Sequence, residues 1–71
     1  MAYLELRAEM LRQGIDQERL GRKINRSLQY VNRRFNGHAD WKQGDMYAIL
    51  NALRIPPDQI YRYFPPNGVT L

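Results

Sequence analysis

The chain has 71 residues, no cysteine, and 11 Lys and Arg against seven Asp and Glu, for a net charge of +4. That length supports one small core, the missing Cys excludes disulfides and thiolate metal sites, and no apolar run approaches the ~20 residues of a membrane span. The opening MAYLELRAEM has a carboxylate by position 5 and no apolar stretch of signal-peptide type, so a cytoplasmic domain is the expectation.

Residues 3–13 read as a first helix with two adjacent apolar stripes, Tyr3/Leu6/Met10 and Leu4/Ala8/Leu11. Arg7 projects between them and is expected to pair with a carboxylate or to snorkel. Gly14 follows the last periodic residue and supplies the left-handed stop. Asp16 is a good N-cap for a second helix through about Lys23, placing a negative charge at the positive end of the dipole. Leu20 and Ile24 are its apolar pair. Gly21 costs a helix about 1 kcal/mol relative to Ala, so its presence predicts close approach by another helix. Asn25 opens the break and tolerates positive φ.

Ser27 caps a third helix, Leu28 to Asn36, which Gly37 ends. A fourth begins near Lys42 and carries Met46, Ile49, Leu50 and Leu53 on one face, with Trp41 packed back on its first turn. Pro57 suits the first position of a fifth helix, in which Ile60 and Phe64 share the buried face and Tyr61 and Tyr63 lie partly outside. Pro65-Pro66 end it. The expected organisation is one all-α domain over 1–66 and a loose tail at 67–71.

The charge is unevenly spread. From Arg19 to Ala39 there are six basic residues (Arg19, Arg22, Lys23, Arg26, Arg33 and Arg34) and no acidic one. Such a window is either a solvated face kept for solubility or the footprint of a polyanion binder. It coincides with two short helices joined by about four residues, a small residue in the first and an apolar pair in the second. That is the arrangement of a helix-turn-helix.

At these residues the chain resembles the phage lambda repressor/Cro-like (XRE-type) helix-turn-helix regulators. IDQERLGRKIN resembles the first motif helix, VNRRFNG the end of the recognition helix, and WKQGDMYAILNALRIPPDQIY the two helices that close the core. Gln17, Gly21, Val31, Asn36 and Gly37 fall at matching positions. The chain departs from the pattern at Asn25, where Gly is usual, at Arg26, where an apolar residue is usual, and at Leu28, where a polar one is common. The resemblance implies a compact five-helix lambda-repressor-like fold, double-stranded DNA as partner, and a helix at about 28–36 in the major groove.

On a wheel of about 100° per residue, Val31 and Phe35 face the core while Gln29, Asn32, Arg33 and Asn36 cluster on another side. Gln29, Asn32 and Arg33 are the candidate base readers, since Gln and Asn pair with adenine and Arg with guanine. Leu28 either completes the core, the preferred placement, or meets a thymine methyl. Arg26, Ser27, Asn36 and Lys42 are phosphate candidates, and Tyr30 either donates to a phosphate or packs on the surface. Arg34 points to the core edge. By resemblance Gln17 sits at a phosphate, with its side chain bracing Gln29.

His38 stands alone in a loop, and no acid-base pair or Gly-rich phosphate loop is present. Neither enzyme activity, a metal, a cofactor nor a small-molecule substrate is therefore expected. The leading function is a sequence-specific DNA-binding transcriptional regulator, a repressor, localised with the nucleoid and assembled as a weak or DNA-assisted homodimer through Tyr61 and Tyr63. The alternative is a protein-interaction module of antirepressor type on the same fold, using Leu28, Tyr30 and the tail tyrosines. A non-specific nucleic-acid binder has less support, because aromatics do not form a stacking platform beside the basic residues.

Overall fold

The computed structural model describes residues 3–65; Pro66 and the expected tail at 67–71 lie outside them. Four helices carry the fold: α1 (Leu4–Gln13), α2 (Gln17–Ile24), α3 (Leu28–Phe35) and α4 (Gln43–Ala52). A 3₁₀ turn at Pro57–Gln59 then leads into one turn of α-helix, α5 (Ile60–Tyr63). Among the described residues every regular element is helical, as the all-α reading expects.

The same backbone device ends α1, α2, α3 and α4. In each case one residue takes the left-handed conformation: Gly14 (φ 68°), Asn25 (φ 61°), Gly37 (φ 79°) and Arg54 (φ 59°). Its N–H and the next residue's N–H then reach back to two of the last helical carbonyls. Gly14 N–H donates to Leu11 O and Ile15 N–H to Met10 O; Arg54 N–H donates to Asn51 O and Ile55 N–H to Leu50 O. These paired bonds satisfy carbonyls that the helix itself leaves open. At the other ends, Asp16 Oδ1 accepts from Arg19 N–H at 2.8 Å and Ser27 Oγ from Tyr30 N–H at 3.1 Å, so both expected N-caps are in place.

Leu6, Leu20, Val31, Ile49 and Leu53 form the centre of the core, each fully buried. Around it four aromatic rings close a circuit. Tyr3 meets Phe35, Phe35 meets Trp41, Trp41 meets Phe64, and Phe64 meets Tyr3, with centroids 5.5–6.2 Å apart. Such edge-on and tilted contacts suit the ring quadrupoles. They bind the start of α1, the end of α3, the loop before α4 and the chain after α5. Trp41, just before α4, is buried in this circuit.

Several placements differ from expectation. Only the Tyr3/Leu6/Met10 stripe of α1 is buried, whereas Leu4 is 42% exposed and Leu11 83%. Both stripes satisfy helical periodicity, and only the position of the neighbouring helices decides between them. Tyr63 is buried and Tyr61 exposed, so Tyr63 is not free for the dimer contact assigned to it. The reason is local: α5 stops at Tyr63, Phe64 leaves with φ −127° and ψ 77°, and Tyr63, three residues from Ile60, takes an inward position. Arg7 donates through Nη2 to Phe35 O at 3.0 Å and lies over the Phe35 ring. It therefore helps to cap α3 from the side.

The motif depends on one close approach. A Cβ added to Gly21 would lie 2.7 Å from Arg26 O and 3.5 Å from Val31 Cγ2. The glycine lets α2 sit directly against the turn and the first buried residue of α3. α2 also packs on α4, which holds the pair from behind.

Candidate nucleic-acid interface

α3 is docked through Val31 and Phe35, both buried, and exposes Gln29, Asn32, Arg33 and Asn36. The helix contains no carboxylate. The separation expected from the wheel is present in the fold. Leu28 is the exception: it is 47% exposed, so the preferred core placement is corrected. Gly21 faces Arg26 O, the Ser27 backbone and Val31 Cγ2, and Leu28 is not among these contacts. Leu28 therefore joins the exposed face.

A chain of carboxamides crosses from α2 to the end of α3. Asn36 Nδ2 donates to Asn32 Oδ1 at 3.0 Å, and Asn32 Nδ2 donates to Gln17 Oε1 at 3.3 Å. The expected brace from Gln17 to Gln29 is thus replaced by one to Asn32. Leu28 occupies the front of α3, and Asn32 lies one turn further along with an amide that can answer Gln17. Gln17 Nε2 has no hydrogen-bond partner among the described residues and, at the first position of α2, sits where helix N–H groups favour an anion.

An ionic hub is centred on the buried carboxylate of Asp45. Asp45, only 6% exposed, accepts from Arg26 Nε at 3.1 Å and from the Tyr30 hydroxyl. Two guanidinium groups lie over the Tyr30 ring, with Arg34 Cζ 3.3 Å and Arg26 Cζ 4.6 Å from its centroid. Arg34 Nη1 also donates to Tyr30 O at 3.0 Å. The expected placement of Arg34 at the core edge matches this geometry. Tyr30, by contrast, donates its hydroxyl hydrogen bond to Asp45 Oδ2 instead of leaving it for a phosphate. The bond to Asp45, burial and the Asp45 charge push the Tyr30 phenol above its ordinary pKa, against the opposing charges of Arg34 and Arg26.

Asp45 was the residue missed by sequence reasoning. The signal was available: Asp45, Ile49 and Leu53 are spaced by four, so a carboxylate stands on the core stripe of α4. A buried charge there requires a cationic or hydrogen-bonding partner. The spacing identifies the need, but not that Arg26 and Tyr30 answer it.

The structure also divides the basic window. Arg22 pairs with Glu18 at 2.7 Å and Arg26 with Asp45, so two of the six cations are already matched. Arg19, Lys23, Arg33 and Arg34 have no carboxylate within ion-pair distance among the described residues. Lys42 is exposed at the N-cap position of α4, and its side chain makes no capping bond. Ser27 is exposed but its Oγ is engaged in capping α3. His38 is an exposed loop residue.

No described helix is long and apolar enough to cross a membrane. A helix-turn-helix family model of the XRE, lambda-repressor-like type matches residues 6–60, well over half of the chain. No curated protein and no solved structure matches it.

Proposed function

The chain belongs to the lambda-repressor-like helix-turn-helix family of DNA-binding transcription regulators, and from that we propose that it is a repressor reading an operator with α3. Two copies, on half-sites about one DNA turn apart, occupy the site and exclude polymerase or another activator. The observation that carries this reading is α3 itself. Its apolar side is sunk in the core, and its free side offers Gln29, Asn32 and Arg33 without a carboxylate among them.

Gln29, Asn32 and Arg33 face the bases, with Leu28 at the leading end positioned for a thymine methyl. Gln17, Arg26, Ser27, Asn36 and Lys42 flank them as phosphate ligands. Asp45 takes only the Nε of Arg26, which leaves that guanidinium two further nitrogens for a phosphate. With Tyr63 buried, Tyr61 at 72% exposure is the aromatic left for contact between the two copies.

A protein-interaction module is the weaker reading. Tyr30 is committed to Asp45 and two arginines, so it drops out of the apolar patch that reading needs. The test is a titration of selected duplexes with the protein between 50 and 200 mM salt. About four to six phosphate contacts per monomer give a log–log slope near −4 to −5. Binding independent of salt, or binding to a partner protein and to no duplex, rules the repressor out.

A further inference from the structure

Resting on the reading of α3 as the groove-entering helix, the geometry points to Asn32 as an adenine selector whose amide is oriented by Gln17 and Asn36. A primary carboxamide has two N–H donors and an oxygen with two acceptor sites. Asn32 spends one N–H on Gln17 Oε1 and one acceptor site on Asn36 Nδ2. One donor and one acceptor remain. Turning all three carboxamides together reverses both bonds but leaves the same balance, one donor and one acceptor spent and one of each free.

The remaining pair of groups decides the base. Adenine presents an acceptor at N7 and a donor at N6 to the major groove, and so uses both. Guanine presents two acceptors at N7 and O6. It would need two donors, and Asn32 has given one away. Cytosine offers a donor alone and leaves the Asn32 N–H unmatched. Leu28, four residues earlier, shares the same helix face and is 47% exposed. It adds an apolar contact suited to the methyl of thymine. Adenine with thymine opposite is the base pair that both side chains favour.

Gln17 and Asn36 act here through Asn32, as positioning residues. That role is additional to their phosphate contacts and separable from them, because a phosphate contact changes affinity for all sequences alike.

The experiment selects bound duplexes from a random pool with the full chain, and repeats the selection with Asn32→Ala, Gln17→Met and Gln17→Glu. Asn32 and Asn36 are exposed and Gln17 is half-buried; far-UV circular dichroism checks that each variant keeps its helix content. The wild-type consensus should hold one adenine per half-site that becomes degenerate in Asn32→Ala. The preference for adenine over guanine there should fall by on the order of ten- to a hundredfold, the worth of a bidentate pair. Gln17→Met removes the acceptor and should lose most of that preference. Gln17→Glu still accepts from Asn32 and should retain it, while its charge weakens binding to every duplex.

A position that depends on Asn32 but selects guanine or cytosine overturns the inference and leaves the DNA-reading role of α3 intact. So does a Gln17→Met protein with an unchanged consensus, as far as the positioning is concerned. A wild-type protein that selects no consensus overturns both the inference and the reading beneath it.

Discussion

Arg26 Nε lies 3.1 Å from Asp45 Oδ1, and this bond ties the turn before α3 to the first turn of α4. Asp45 is buried and Arg26 is not, so the two ends of the pair differ in what they cost. The cation keeps access to water, whereas the carboxylate has exchanged water for Arg26 and the Tyr30 hydroxyl. Asp45→Ala removes two hydrogen bonds and leaves Tyr30 without its acceptor. The expected loss is about 1–3 kcal/mol, measured as a lower urea midpoint with the slope unchanged. An unshifted midpoint would show that the hub adds nothing to stability.

Tyr30 also makes the protein sensitive to alkali. Its folded pKa is raised, first by the bond to Asp45, and that of Tyr3 is raised too, by burial and then by the charge of Asp40. Between the unfolded pKa, about 10, and the higher folded one, the unfolded chain has lost protons that the native state retains. Stability is therefore fully present below about pH 10 and declines as the pH rises through the folded values. Thermal melts should be flat in this respect from neutral pH to about 9 and fall beyond 10. Tyr30→Phe should fall less steeply; equal slopes would place the effect elsewhere.

Gly21 tests the motif's close contact. In an open helix Gly→Ala gains about 1 kcal/mol. Here the new Cβ meets a backbone oxygen at 2.7 Å, and the oxygen belongs to the turn that aims α3. Gly21→Ala is expected to destabilise by about 1–3 kcal/mol, the cost of overpacking, and to weaken DNA binding beyond that of the folded fraction. A stabilised variant would mean that the turn yields freely.

Arg54 holds φ 59° at the end of α4, where Gly14 and Gly37 do the same work without a Cβ. The left-handed conformation costs a non-glycine residue about 1–2 kcal/mol. Arg54→Gly should recover part of it, raising the melting temperature by about 4–8 °C per kcal/mol gained in a domain of this size. Greater entropy of the unfolded glycine offsets some of the gain. A lowered melting temperature would show that the Arg54 side chain contributes more than its backbone costs.

Arg33→Ala and Lys42→Ala separate reading from holding. Arg33 is exposed on α3 beside Asn32, and Lys42 is exposed at the start of α4. The first variant should relax one position of the bound consensus, at about 1–3 kcal/mol; the second should weaken all duplexes alike and reduce the salt slope by about one. Identical behaviour of the two would mean that the exposed side of α3 is not the reading side.

Properties settled within a few residues were legible before the fold was known. Asp16 and Ser27 cap because a short oxygen-bearing side chain meets N–H groups two or three residues on. Gly14 and Gly37 end helices because the left-handed backbone needs no partner elsewhere. Val31 and Phe35 share a face by helical pitch alone, and Gly21 announced a close neighbour by its cost. Properties that require a second element were not legible. The wheel of α1 offered two apolar stripes, and the placement of α5 and the aromatic circuit chose Tyr3, Leu6 and Met10. Leu28 had the right spacing for the core, but the packing of the helices leaves it 47% exposed. Tyr63 turned inward because α5 is a single turn. The joining of Asp45 to Arg26, and of Gln17 to Asn32, spans 19 and 15 residues of chain. Periodicity ranks the faces of one helix, but a hydrogen bond between two helices depends on their separation and rotation, which packing alone determines.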